Sequence, residues 1–312
     1  MSRHIADGTI DAPVGRRARS LAELAELQAR AFNPEQSRAA ITSVRLRPDD
    51  VVISPYAKCG TTWLQQMFHT LRTRGDLDFD DISRVVPWIE TAGMLDIDLN
   101  APQKARPRGF KSHLAWNVVP KNARYIVSFR DPRDAVLSHL RFLEGWWLER
   151  GAVPVTEYVA SRIALRSSNR DYWYHLLSWW AQRDNPDVLL LTYEHMSADP
   201  AANIRRVAKF CGVPLNDALL VLTLERTSLP FMLAHKGLFD DRIMREMTER
   251  RLGLPPHSDS AKVRAGSVGG HERELPPEAV AMLDAAWNET ITPTIGFKNY
   301  AELDAALRTS GG

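Results

Sequence analysis

Cysteine is almost missing from this chain: Cys59 and Cys211 are its only two. Two thiols so far apart build neither a disulfide framework nor a cysteine-based zinc site. The nine histidines form no H-x-x-x-H pair, so the sequence offers no metal site and metal-free chemistry is expected. An excess of one charge is missing too. Forty basic residues face thirty-eight acidic ones, leaving +2, which excludes the strongly basic character of a nucleic-acid binder or membrane-surface protein. Any anion recognition must therefore be local. No apolar run approaches the ~18 residues of a membrane span. The opening "MSRHIADGTIDAPVGRRARS" lacks the apolar stretch of a secretory signal, and a cytoplasmic protein is expected.

What is present suits a globular fold. Hydrophobic residues at 44% and charged residues at 25% are ordinary proportions, and 312 residues suffice for one large domain or two. Residues 1–20 read as a poorly ordered tail, and 21–312 as one domain with no internal repeat or linker. Ser20 reads as the N-cap of "LAELAELQARAF", with Glu23 completing a capping box. Four short apolar runs follow: "DDVVIS" at 49–54, "RGFKSH" at 108–113, "RYIVSF" at 124–129 and "DVLLLTYE" at 187–194. Helical patterns come between them. Trp63, Leu64, Met67, Phe68 and Leu71 fall at helical spacing, Pro132 suits the first turn of "AVLSHLRFL", and Gly212 closes "PAANIRRVAKFCG". Such alternation predicts an α/β fold: a single domain with a central parallel sheet flanked by helices. Residues 74–107 read as an excursion, and 234–270 as a long loop of the kind that serves as a lid or binding loop.

The turn after the first run carries the strongest chemical signal. "SPYAKCGTTWLQQM" at 54–67 has the parts of a P-loop in another order, because Lys58 precedes Gly60 instead of following a second glycine. A strand-to-helix turn with Gly60 lets backbone N–H groups converge at a helix N-terminus that attracts anions, and Thr61 and Thr62 add hydroxyls. The same letters also fit a plain turn with a capping threonine.

Four further segments decide between these readings. "AKCGTTWL", "FKSH", "RDPRDAVLSH", "LTYEHM" and "RAGSVGG", in this order, resemble the cytosolic sulfotransferases, which use 3′-phosphoadenosine 5′-phosphosulfate (PAPS). The resemblance runs from about residue 50 to about residue 270. It implies that Lys58, Cys59, Gly60, Thr61, Thr62 and Trp63 cradle the 5′-phosphosulfate, with Lys58 beside the oxygen that bridges phosphorus and sulfur. Trp63 would stack on adenine, or else pack in the core of its helix. Arg130 and Ser138 match the pair that holds the 3′-phosphate, and Tyr193 and Thr227 match positions near adenine. Asp131, Arg133 and Asp134 read as capping and solvated helix charges.

The closing loop departs from the family's R-K-G-x-x-G-D-W. Arg264 and Gly266 are kept, but Ala265 replaces the lysine and Gly270-His271 the Asp-Trp, so that either one charge contact to the 3′-phosphate is missing or Lys262 stands in for it. Cys59 replaces the usual serine. No counterpart of the family's dimer-forming motif is found in "GGHERELPPEAVAMLDAAW", so no oligomeric state is assigned.

In "GFKSHLAW" an extended chain puts Lys111 and His113 on one face and Ser112 on the other. His113 suits a general base, and Lys111 and Lys58 suit stabilisation of the sulfuryl oxygens and the departing phosphate. Trp88 in "VPWIE", Trp116, and Phe142, Trp146 and Trp147 in "HLRFLEGWWLER" are candidates for an acceptor pocket. The expected reaction moves a sulfuryl group to a phenol or alcohol hydroxyl, or an amine, of a small, largely apolar acceptor. Two other readings stand beside it. A P-loop kinase needs G-K-[ST], which is absent. A non-catalytic nucleotide binder would not need the Lys111/His113 pair.

Overall fold

The computed structural model describes residues 15–165, 171–260, 262–264, 266 and 268–309. Residues 1–14 of the expected tail, and Ala265 and Ser267 of the expected closing loop, lie outside the described residues. Four strands form one sheet: β1 (Val51–Ile53), β2 (Gly109–Lys111), β3 (Arg124–Phe129) and β4 (Val188–Thr192). Their spatial order is β2-β1-β3-β4 and every pairing is parallel, with Val52 opposite Phe110 on one side and Tyr125 on the other. These are the four runs expected from the sequence.

Parallel neighbours need crossovers, and helices supply them. The Thr61–Thr73 helix leads from β1 towards β2, and the Pro132–Trp146 and Tyr172–Trp180 helices lie between β3 and β4. Strand side chains alternate between two cores. Val51, Ile53, Ile126 and Leu191 pack with Leu64, Met67, Phe68 and Ile204 on one face. Val52, Phe110, Tyr125, Val127 and Leu190 pack with Leu137, Leu140, Trp179 and Trp287 on the other. A sheet covered on both faces has no polar side, which is why its strands read as unbroken apolar runs.

The order of the strands sets where a ligand binds. The chain leaves β1 to one side for β2 and returns to the other side for β3. The crevice of such a sheet lies beyond the carboxyl ends at this switch point, where loops part to opposite faces. Loop 54–60 and Arg130 leave from those ends.

Three local expectations are corrected. The last residues of the tail are fastened, since the Ala18 N–H donates to Trp147 O at 2.9 Å and the Glu149 N–H to Ala18 O at 2.7 Å. Ser20 does cap the Leu21–Ala31 helix by accepting the Glu23 N–H, but the Glu23 carboxylate goes to Arg16 and the Arg19 N–H instead of closing a box. The stretch 234–270 contains the Arg242–Leu252 helix, whose buried face includes the paired Arg245 and Glu249 and so carries a weak apolar period. No helix among the described residues is long and apolar enough to cross a membrane.

Candidate active site

The turn after β1 is held in an unusual shape by its neighbour. Lys58 and Gly60 both have positive φ, 67° and 97°. From β3 and its end, Ser128 donates its hydroxyl to Cys59 O, and Arg130 donates to Lys58 O at 3.1 Å. A Cβ on Gly60 would stand 3.1 Å from the Tyr193 ring and 3.4 Å from Ser128 Oγ, so glycine is needed for space as well as for φ. The Thr61–Thr73 helix has no side-chain N-cap, and its first internal bond is Leu64 N–H to Gly60 O at 3.0 Å. The N–H groups of Thr61, Thr62 and Trp63 precede that bond and, like the dipole, favour an anion. Thr61 Oγ1 and Trp63 Nε1 are buried and have no hydrogen-bond partner among the described residues. A buried donor of this kind is satisfied by a ligand or by an ordered water.

Around this turn lies a cavity of about 520 Å³. Among the described residues five cationic side chains line it, Lys58, Lys111, Arg130, Lys262 and Arg264, against three carboxylates, Asp134, Asp241 and Glu274. Lys58 Nζ stands 4.8 Å from the Phe142 ring centroid, and Lys111 Nζ 3.9 Å from that of Trp88. Burial, then the charges of Lys262 and Arg130, bring Lys58 down to a pKa of about 7. Burial brings Lys111 down to about 8 although Asp241, 3.5 Å away, works against it. The same Asp241 oxygen meets Lys262 at 2.5 Å, and although burial opposes ionisation the two lysines hold this carboxyl well below its usual range. Local positive charge is what the balanced composition required, and the cavity concentrates it.

His113 follows β2 on the same face as Lys111, and Ser112 turns away to accept the Leu114 N–H at 3.0 Å, as strand alternation predicts. Its backbone N–H donates to Glu90 at 2.7 Å. Its Nδ1 lies 2.7 Å from Pro55 O, a group that only accepts, so Nδ1 carries the proton and Nε2 is a bare acceptor. Burial and then Lys111 push its pKa down to about 3, so the imidazole is neutral.

Arg130 and Ser138, the expected second pair, lie just before and within the Pro132–Trp146 helix. The Arg130 guanidinium lies 4.3 Å from the Tyr193 ring centroid and 3.7 Å from Asp134. Asp134 is a correction: it is 3% exposed, not solvated, and accepts the Gly269 N–H at 2.9 Å and both the N–H (3.0 Å) and Nδ1 (2.9 Å) of His271. His271, where the family pattern has tryptophan, thus ties the closing loop to this helix. Asp131 caps the helix as expected, and Arg133 pairs with Asp284.

Most of the expected residues meet at this one cavity. Gly60, Thr61, Thr62 and Trp63 line it, as do Ser138, Tyr193, Thr227, Arg264 and Gly266, and the aromatic residues Trp88, Phe142, Trp146 and Trp147. Trp63 is half-buried with its ring edge-on to Tyr193 at 5.5 Å; it lines the cavity and also packs against the core on the Leu64 side of the sheet. Two expected residues stay out of the lining. Cys59 is fully buried, its N–H goes to Tyr56 O, and burial raises its thiol to about 12, so it donates nothing to a ligand. Trp116 packs edge-on against Tyr125 at 5.3 Å and Trp179 at 5.4 Å as part of the core. Lys262 lines the same cavity and pairs with Asp241. Sequence reasoning missed Asp241, the second of two adjacent acids in a charged stretch, and His139, which directly follows Ser138 in a quoted motif and lines the cavity.

Comparison with known proteins identifies the family. The family model described as "Sulfotransferase domain" matches residues 48–294. Sulfotransferase 1B1 of Canis lupus familiaris is 27% identical over 238 residues, covering 72% of this chain and 77% of the relative. Luciferin sulfotransferase of Photinus pyralis is 26% identical, covering 89% and 81%. Retinol dehydratase in complex with androsterone and the inactive cofactor PAP shares the fold at a TM-score of 0.67 and 19% identity, over 88% of this chain and 96% of that one. A mouse sulfotransferase complexed with PAP does so at 0.66 and 17%, over 88% and 94%. The chain belongs to the sulfotransferase family, and is an enzyme whose sulfuryl donor is PAPS.

Proposed function

We propose that the enzyme sulfates the hydroxyl of a small, largely apolar phenol or alcohol, with His113 as general base. The observation that carries this is the His113 tautomer: Nδ1–H is committed to Pro55 O, and the bare Nε2 belongs to a cavity shared with Lys58 and Lys111. The chain's cationic turn, its partnerless Thr61 hydroxyl and the charge excess of the cavity fit the donor's anionic groups. Lys58, with the N–H groups of Thr61, Thr62 and Trp63, would hold the 5′-phosphosulfate, and Arg130 with Ser138 the 3′-phosphate. Trp63, Tyr193 and Thr227 would flank adenine, with Arg264 and Gly266 closing over it.

The donor supplies an electrophilic sulfur whose bond to the bridging oxygen breaks as the acceptor oxygen forms its own. His113 Nε2 takes the hydroxyl proton, Lys111 stabilises charge on the sulfuryl oxygens, and Lys58 stabilises the phosphate oxygen that is left. The lysines that depress His113 face an anion once donor is held, so its basicity rises when it is needed. The aromatic walls Trp88, Phe142, Trp146 and Trp147 suit a flat apolar acceptor.

The test is turnover of labelled PAPS with a panel of phenols and alcohols, in EDTA, alongside calorimetry of PAP and ATP. Transfer of label with PAP bound far more tightly than ATP is expected. Label transfer that requires added Mg²⁺, or tighter binding of ATP, would overturn the reading.

A further inference from the structure

His139 has no part in the chemistry above, yet it lines the same cavity and lies close enough to Lys58 and His113 to feel their charge. Its ring stacks on Phe142 at 6.2 Å with 13° between planes. Nδ1 is 2.6 Å from the Tyr158 hydroxyl, and no hydrogen bond of Nε2 occurs among the described residues. Tyr158 is 2% exposed and sits in the field of Arg162, which donates to the Tyr56 hydroxyl at 2.5 Å. The Tyr158 hydroxyl has no other hydrogen-bond partner among the described residues, and a phenol O–H is a stronger donor to an imidazole nitrogen than its oxygen is an acceptor, so the O–H points at His139 Nδ1. An imidazole that accepts at Nδ1 carries its proton on Nε2. Burial keeps the ring neutral, so it offers this single N–H to the cavity.

We infer that His139 Nε2–H is a hydrogen-bond donor to a second oxygen of the acceptor, a carbonyl or ether carried on the apolar frame away from the hydroxyl that is sulfated. The inference rests on the acceptor reading above and narrows its class. The wall beside His139 is aromatic, from Phe142, Trp146 and Trp147, so one polar group there selects among compounds the walls alone accept equally. Tyr158 is a positioning residue that fixes the tautomer.

The test uses matched pairs of phenols that differ by a ketone against a methylene at one remote position. Binding to the PAP-loaded enzyme is measured by calorimetry, and kcat/KM in turnover. The wild type is expected to favour the ketone about tenfold, the scale of one neutral hydrogen bond. His139→Leu should bring the ratio near one, His139→Gln should keep part of it, and Tyr158→Phe should lower it while the His113-dependent acceptor-pKa profile stays unchanged. A ratio that His139→Leu leaves intact, or equal losses for both members of each pair, would overturn the inference. Acceptors that bind with the expected ratio but receive no label would sink the reaction and leave the subsite standing.

Discussion

At the scale of single residues, the site is organised around lysines that are hard to keep charged. Lys58 and Lys111 have pKa values near 7 and 8 because burial and neighbouring cations disfavour their protonated forms. An anion placed between them reverses that field and raises both values. At a pH above those values the lysines are largely neutral before binding and charged after it, so PAP binding must take up protons. Calorimetry in buffers of different ionisation enthalpy should show uptake of between about one and two protons at pH ~8.5, falling towards zero near pH 6. Proton release, or no exchange at either pH, contradicts the assignment. Arg130 serves two ends at once, since it donates to Lys58 O at 3.1 Å while its guanidinium faces the cavity beside Ser138. Arg130→Ala should therefore weaken adenosine 5′-phosphosulfate somewhat and PAP much more, by an extra ~1.5–3 kcal/mol for the lost charged hydrogen bonds to the 3′-phosphate. Equal weakening of the two nucleotides would place the 3′-phosphate elsewhere.

Among elements, the turn after β1 and the closing loop do the positioning, and they differ in how legible they are. The turn is written in its own letters: Gly60 where φ is 97°, Thr61 and Thr62 at the open helix end, Lys58 before them. What the sequence does not disclose is that Ser128 and Arg130, about seventy residues on, brace its carbonyls, because strand neighbours are set by sheet order. The 264–271 segment departs from the family pattern at Ala265, Gly270 and His271, and a residue of another element holds its end. Asp134, which reads as a surface helix charge, is buried and gathers Gly269 and His271. Asp134→Ala should release that segment, with faster proteolytic cleavage around residues 264–271 and a PAP dissociation rate raised roughly tenfold, the worth of about one charged hydrogen bond. His271→Ala should give a smaller rise, because the Gly269 N–H still binds Asp134. A PAP dissociation rate that Asp134→Ala leaves unchanged would show the latch to be irrelevant to the donor.

The whole molecule explains why distant motifs meet. Two cores clamp a four-stranded sheet, and its switch point sends the ends of β1, β2, β3 and β4 towards one cavity, so that Lys58, Lys111, Arg130 and Tyr193 each come from a different strand end. Apolar runs and helical spacing made the strands and their order along the chain readable. The cost of burying a polar residue is not readable in the same way: Cys59 looks like a site residue and is buried, Trp116 packs against the core outside the cavity, and Asp241 and His139 look unremarkable and face the cavity. Burial is decided by packing partners far along the chain, and local letters are silent on it. The central claim is that this fold presents His113 Nε2 as the base beside Lys58 and Lys111. It is tested most directly by kcat for the wild type and His113→Ala across acceptors of graded pKa, with PAP affinity measured on both proteins. The account predicts a loss of roughly 10²- to 10⁴-fold on aliphatic alcohols, shrinking for acidic phenols that part with their proton unaided, at nearly constant PAP affinity. A His113→Ala enzyme within a few-fold of wild type on an aliphatic alcohol would contradict it.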